Sequence, residues 1–241
     1  MKLNDQLVKR GRGRGRGRPQ PGPRAGRARR GLGRRPGPAT DDSRQRIFAA
    51  AAHEFAARGF AGASVDRIAA AAGFNKAMIY YHFGSKAVLY RDILRDMFDA
   101  VGAAVAAAAA SSAAPADKIR QFIDAFATEA EARPLFPPIW FREIAEGGLH
   151  LDDATLGVMA RVVKSLGAII EEGVRAGVFQ PISTLVVHAG IVAPLLLYFA
   201  SAGLRRRLER IGVRGVGQIQ REHIVAHVQR MTVALLEGRI A

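Results

Sequence analysis

A short segment near residue 80 carries side chains that could bind nucleic acid. On a helix over residues 76–82, Ile79 would face inward, together with Phe83 just after its end. The outward face would then hold Lys76, Ala77, Tyr80, Tyr81 and His82. Ammonium and hydroxyl groups donate to phosphate oxygens, and ring edges can contact thymine methyl groups. Lys86, just past the helix end, would reach the adjacent phosphate backbone. This pattern favours contact with DNA.

Two preceding helices must position that segment. The first, over residues 43–58, has an apolar stripe at spacing four (Ile47, Ala51, Phe55). The second begins at Ser64, a predicted N-cap, and a tight Gly73 turn leads into the third. Two helices joined by such a turn form the unit that sets a helix into the major groove. From spacing alone, an ordinary helix pair with half-buried tyrosines stays open as an alternative.

The run over residues 43–90, SRQRIFAAAAHEFAARGFAGASVDRIAAAAGFNKAMIYYHFGSKAVLY, resembles the N-terminal domain of the TetR family of repressors. The matching segments are Arg-Gly-Phe after the first helix, Ile-Ala-x-x-Ala-Gly in the second, and the closing Ile-Tyr-Tyr-His-Phe-x-x-Lys. The resemblance implies a homodimer on a pseudo-palindromic, double-stranded DNA operator. It places these residues at or near DNA: Ser64, Lys76, Ala77, Tyr80, Tyr81, His82 and Lys86. Met78 stands where the family commonly has Thr or Ser. We therefore predict no base sequence for the operator.

Most of the positive charge lies in the first 40 residues. They hold 13 Lys and Arg against the single acid Asp5, so they carry +12 of the net charge of +15. The density of Gly and Pro predicts disorder in isolation. Nonspecific DNA binding by counterion release is the favoured function. Arg16-Gly17-Arg18 also resembles an AT-hook that lies in an A·T-rich minor groove. A segment without function, or a wrongly assigned start, remains the third possibility.

Enzymatic chemistry finds little support in the sequence. The chain has no cysteine, which excludes disulfides and thiolate metal sites. The Gly-x-Gly runs at 11–17 lack the strand and helix of a phosphate loop. His223 and His227 are four residues apart but lack the glutamate of a zinc protease motif. We therefore predict no catalytic activity and no cofactor.

In the remaining 150 residues, the apolar pattern predicts further helices at about 85–114, 116–131, 135–146, 153–177, 182–201 and 218–238. A flexible polar connection is predicted at 203–217. Residues 184–203 carry no charged side chain, so a membrane-tethered protein is an alternative to a buried helix. The last helix has an apolar seam for dimerisation at Ile224, Val228, Met231 and Leu235. Paired with helix 182–201, it would form half of a four-helix dimer interface.

A small-molecule effector, unidentified from the sequence, is implied by the same resemblance. Large apolar residues on predicted core helices, with histidine for polarity, are the candidate ligand contacts: Phe122, Phe126, Trp140, Phe141, His188 and Tyr198. Ordinary core packing is the alternative for each of them.

These features predict an all-α chain in three parts. Residues 1–40 form a basic tail, 41–88 a three-helix helix-turn-helix domain, and 89–241 a larger helical domain for ligand binding and dimerisation. The predicted function is a ligand-responsive dimeric repressor in the cytoplasm, associated with the nucleoid and not with a membrane. The main alternative is an architectural, nucleoid-associated DNA-binding protein dominated by its tail.

Overall fold

The computed structural model describes residues 38–240, with side chains from residue 41. Within that range every regular element is helical, as the sequence predicts. The elements are α1 (Pro38–Gly62), α2 (Val65–Ala72), α3 (Lys76–Phe83), α4 (Lys86–Ala110), α5 (Pro115–Ala132), α6 (Phe136–Ala145), α7 (Asp153–Arg175), α8 (Thr184–Ala200), α9 (Ala202–Arg210) and α10 (Arg221–Leu236). A short 3₁₀ turn (Val216–Gln218) precedes α10.

Local capping explains where the first helices begin and end. Asn75 Oδ1 accepts from the Met78 amide at 3.2 Å, and Ser85 Oγ accepts from the Val88 amide at 3.1 Å. Both are N-cap bonds that satisfy an otherwise free helical donor. α1 is interrupted at Gly59, whose positive φ of 68° suits a residue without Cβ. Ser64 occupies the predicted N-cap position of α2, but its side chain makes no capping hydrogen bond.

α4 is the central helix of the described chain. Its buried face runs from Leu89 to Ala108 and packs against α7 and α5. Its first turns also contact α1 and α3, so one rigid helix touches both the helix-turn-helix and the larger bundle. Movement in the bundle can therefore reach α3 through α4 without an intervening loop.

One prediction about the C-terminal third is wrong, and dimerisation through the predicted α10 residues stays a prediction. Part of the segment predicted as a flexible connection forms α9 instead, where the Arg205 guanidinium lies 4.0 Å from the centre of the Tyr198 ring. On α10, Val228 is buried inside the protomer, so the predicted four-residue seam does not lie on one free face. Of its other members, Ile224 and Leu235 are half-buried and only Met231 is exposed.

The charge-free segment forms α8, with Pro194 inside it. Among the described residues, no single helix has the length and apolar composition needed to cross a membrane. α8 and α9 reach that composition only as a pair, and they are bent by 56° at their junction.

Candidate nucleic-acid interface

α3 presents an open face with two tyrosines. Ile79 and Phe83 are buried against the core, as their spacing predicts. Tyr80 is 50% exposed and Tyr81 is 73% exposed. Lys76 and Ala77 lie on the same exposed side at the start of the helix. Neighbouring exposed apolar side chains that form one patch mark an interaction surface.

A carboxylate on α1 fixes the turn that leads to α2. Glu54 accepts from Arg67 Nε at 2.7 Å, from the Ser64 amide at 3.2 Å and from Arg58 Nε at 3.3 Å. Burial alone would raise the pKa of Glu54, but the bonds from Arg67 and Ser64, with the charge of Arg58, lower it below its ordinary value. The Ser64 amide therefore has its donor satisfied from α1.

Two predicted phosphate contacts are engaged inside the protein. The Lys86 ammonium donates to the carbonyls of Phe60 and Ala63 at 2.9 and 3.1 Å, and lies 4.4 Å from the centre of the Phe60 ring. His82 Nε2 and Ser43 Oγ form a hydrogen bond of 2.8 Å, so His82 is half-buried and does not point into solvent as predicted. Contact of either residue with DNA phosphate stays a prediction.

Lys76 is the more available cation on this surface. Its ammonium lies 3.5 Å from the Asp66 carboxylate, and both side chains are largely exposed. An exposed pair of this kind is weak, so phosphate can compete for the lysine. Arg16 and Arg18 of the basic tail lie outside the described residues.

A cavity lies where α1 meets α4 and the start of α6. It has a volume of about 280 Å³ and a mainly apolar wall, with His53, Asp96 and Arg133 also lining it. The main apolar lining residues are Phe48, Ala52, Ile93, Met97, Leu135 and Phe136. We name it the junction cavity, because its wall comes from both the helix-turn-helix side and the C-terminal bundle.

None of the six predicted ligand contacts lines the junction cavity. Phe122 and Phe126 are buried core residues of α5. The Trp140 ring packs edge-on against Phe98, with ring centres 5.1 Å apart, and stacks on Phe136. The remaining three are half-buried at separate places: Phe141, His188 and Tyr198. Burial lowers the pKa of His188. The structure does not bring these residues together.

A buried polar cluster lies beside the cavity, at the other end of α6, and the sequence prediction missed it. Glu143 is fully buried and accepts from the Tyr90 hydroxyl at 2.9 Å and the His150 amide at 2.8 Å. Burial, and then the adjacent Glu143 carboxylate, raise the pKa of Tyr90, so the phenol stays protonated. The rings of Phe60 and His150 lie 4.1 Å apart. This cluster joins α1, α4 and α6.

Two family models match the chain. "Bacterial regulatory proteins, tetR family" matches residues 47–93, and "Tetracyclin repressor-like, C-terminal domain" matches residues 115–229. The HTH-type transcriptional repressor NicS of Pseudomonas putida is 31% identical over 162 residues, covering 66% of this chain and 76% of that protein. The HTH-type transcriptional regulator RutR of Escherichia coli K12 is 28% identical over 144 residues, covering 60% and 68%.

Solved structures agree with this fold. A TetR family transcription regulator from Marinobacter aquaeolei aligns with a TM-score of 0.64 at 18% identity, covering 82% of this chain and 97% of that one. The fatty acid degradation regulator FadR from Bacillus halodurans aligns with a TM-score of 0.62 at 18% identity, covering 83% and 97%. At this identity the likeness supports the fold alone.

Proposed function

This chain belongs to the TetR family of bacterial transcriptional regulators, and from that premise we propose that it is a dimeric repressor released from DNA by a small apolar effector. The observation that carries the proposal is the open face of α3, where Tyr80 and Tyr81 stand beside Lys76. In this proposal residues 41–88 bind DNA, residues 89–241 bind the effector and the second protomer, and the chain has no catalytic activity.

The proposed DNA contacts divide between bases and phosphates. Ala77, Tyr80 and Tyr81 face the base edges in the major groove, and Lys76 binds the adjacent phosphate. Ser64, His82 and Lys86 lie around the recognition helix, where a phosphate could exchange for their present partners. Two protomers would place α3 in successive major grooves, about 34 Å apart. Because transcription takes place where the DNA is, we place the protein in the cytoplasm.

The proposed dimer surface centres on α8. Leu185, Val186 and Leu197 are large apolar residues exposed on that helix, and Met231 of α10 is exposed beside it, since it lines a cavity with Val186. An apolar face of this kind is typical of a surface covered by a second copy.

Light scattering tests this surface. Leu197→Glu should convert a dimer to a monomer, because the variant buries a charge without a partner in the interface. Leu204→Glu is the matched control, since Leu204 is 56% exposed on α9 and Leu197 is 61% exposed on α8. A wild-type monomer, or equal dissociation by the two variants, contradicts the proposed surface.

The junction cavity is the proposed effector site. Its volume suits a single-ring or short-chain molecule, and its apolar wall favours an uncharged body with at most one polar end near Asp96 or Arg133. A ligand there would touch α1 and α4 at once. It would favour one angle between the helix-turn-helix and the bundle, and so shift the spacing of the two recognition helices.

Indole, a small uncharged aromatic probe whose binding is followed by isothermal titration, tests the cavity. Ala52→Phe should fill the cavity and abolish saturable binding of the probe, while Ala49→Phe, on the exposed side of the same helix, should leave it intact. If both variants bind the probe like the wild type, the effector site lies elsewhere.

The basic tail is proposed to add nonspecific affinity. Deleting residues 1–38 should weaken DNA binding and flatten its dependence on salt, because counterion release scales with the phosphates neutralised. Sequence preference should remain. Loss of preference would instead support the minor-groove function of Arg16 and Arg18, and loss of all binding would support the architectural alternative.

A further inference from the structure

We propose that Glu143, Glu146 and His150 form a binding site for one divalent transition-metal ion. His150 Nδ1 lies 3.0 Å from Glu143 Oε2 and 3.4 Å from Glu146 Oε2. One donor atom from each of the three residues lies within 4.8 Å of the others. Imidazole nitrogen with two carboxylate oxygens is a donor set that suits Zn²⁺ and its neighbours in the first transition row.

The backbone brings these donors together in a defined way. Glu143 and Glu146 are three residues apart at the end of α6, so both side chains lie on one face. Gly147 and Gly148 then take positive φ values of 74° and 75°, which turn the chain back over that face. The His150 amide donates to Glu143 Oε1 at 2.8 Å, and this bond holds the imidazole above the two carboxylates.

The spacing is close to that of a coordination shell. Donor atoms bound to Zn²⁺ at about 2.0–2.2 Å in tetrahedral geometry are about 3.3–3.6 Å apart, and the 3.4 Å between His150 Nδ1 and Glu146 Oε2 falls in this range. The 3.0 Å between His150 Nδ1 and Glu143 Oε2 is a hydrogen bond that the ion would replace. Three protein ligands leave a fourth position for water or another donor. Glu146 is the exposed member of the set and gives the ion a route from solvent.

Two carboxylates meet at this place. Glu143 is fully buried and accepts from the Tyr90 hydroxyl, and Glu146 brings the second carboxylate. The nearby Arg142 guanidinium donates to the Ala57 carbonyl. The Tyr90 hydroxyl bonds to a proposed ligand, an outer contact that is common around metal-binding carboxylates.

The ion would connect parts of the molecule that carry different functions. The His150 ring packs on Phe60 at the end of α1 and against Tyr90 on α4. Binding would therefore hold the loop between α6 and α7 against the helix-turn-helix side. The site itself is independent of the function proposed above, because metal binding is measured without DNA or effector.

Isothermal titration with ZnCl₂ tests the site on the full chain, after treatment with EDTA and removal of the chelator. We expect one equivalent of Zn²⁺ bound per chain. When CoCl₂ replaces ZnCl₂, we expect the visible absorption band of a Co²⁺ ion with a low coordination number. His150→Ala and Glu146→Gln should each weaken the binding of Zn²⁺ by at least about tenfold. Glu146→Gln changes an exposed residue, so it keeps the test valid if His150→Ala does not fold.

The matched control is the double variant His223→Ala/His227→Ala. These histidines share one face of α10 at spacing four, and could hold Zn²⁺ adventitiously. Unchanged Zn²⁺ affinity in this variant supports the proposed site. Absence of saturable binding in the wild type overturns the proposal. Binding that survives His150→Ala and Glu146→Gln but disappears in the α10 variant overturns it as well.

Discussion

Replacing Tyr90 with Phe removes one hydroxyl from the junction of α1, α4 and α6. The hydroxyl donates to Glu143 Oε2 at 2.9 Å, and the carboxylate is fully buried. The ring itself stays packed, with ring centres 4.9 Å from Phe55 and 5.2 Å from Phe60. The variant therefore opens almost no cavity, and its cost comes from a buried carboxylate that loses a donor.

A hydrogen bond to a charged group contributes about 1.5–3 kcal/mol, so Tyr90→Phe should lower the free energy of unfolding by about 2 kcal/mol. For a chain of this size, that loss corresponds to a fall in Tm of about 4–8 °C. Urea unfolding followed by circular dichroism, in buffer with EDTA, measures it. Tyr81→Phe makes the same chemical change at an exposed position and should shift stability by less than about 0.5 kcal/mol. Equal stability of the two variants would refute the role assigned to this bond.

Three further variants test other parts of the structure. Lys76→Met should leave thermal stability unchanged but reduce the slope of log affinity against log salt by about 1, as fluorescence anisotropy can measure. The Thr155 hydroxyl and the Arg95 guanidinium hold the pKa of Asp152 far below its usual range. The charge of Asp152 therefore stabilises the fold above pH 4, and the Tm deficit of Asp152→Asn should shrink as pH falls below 4. Gly173→Ala would place Cβ 2.0 Å from Phe179 Cδ2, and should lower the free energy of unfolding by about 1–3 kcal/mol in urea titrations.

The helix-turn-helix could be predicted because its determinants are local. Asn75 and Ser85 cap the helices that follow them, and the buried positions Ile79 and Phe83 repeat at helical spacing. Ser64 stands at the predicted N-cap position of α2, but its hydroxyl makes no capping bond. Its amide is instead held by the carboxylate of Glu54, ten residues away, and such a distant contact is invisible in a local pattern.

α9 forms although its segment is rich in arginine, because helix propensity outweighs polar composition there. Arg and Leu are strong helix formers, and contact with the Tyr198 ring stabilises the first turn through Arg205. Leu204, although exposed, adds to the same propensity. Polar composition alone does not make a segment irregular.

The buried polar cluster of Tyr90, Glu143 and His150 could not be predicted for a different reason. Tyr90 and Glu143 are 53 residues apart, and only the packing of α6 on α1 and α4 brings them together. Trp140 looked like a ligand contact in the sequence, but its neighbours Phe98 and Phe136 lie on α4 and at the start of α6. Tertiary contacts of this range determine which large apolar residues line a cavity and which fill the core.

The most direct measurement of the central claim is selection of binding sites from random duplex DNA. The wild-type chain should enrich a two-fold symmetric sequence with half-sites about one helical turn apart. The same selection with Tyr80→Ala/Tyr81→Ala should fail to enrich it, and Tyr81→Ala alone should bind the selected site about 5- to 150-fold more weakly, a loss of about 1–3 kcal/mol. Enrichment of no symmetric site by the wild type, or undiminished binding by the tyrosine variants, would contradict the account.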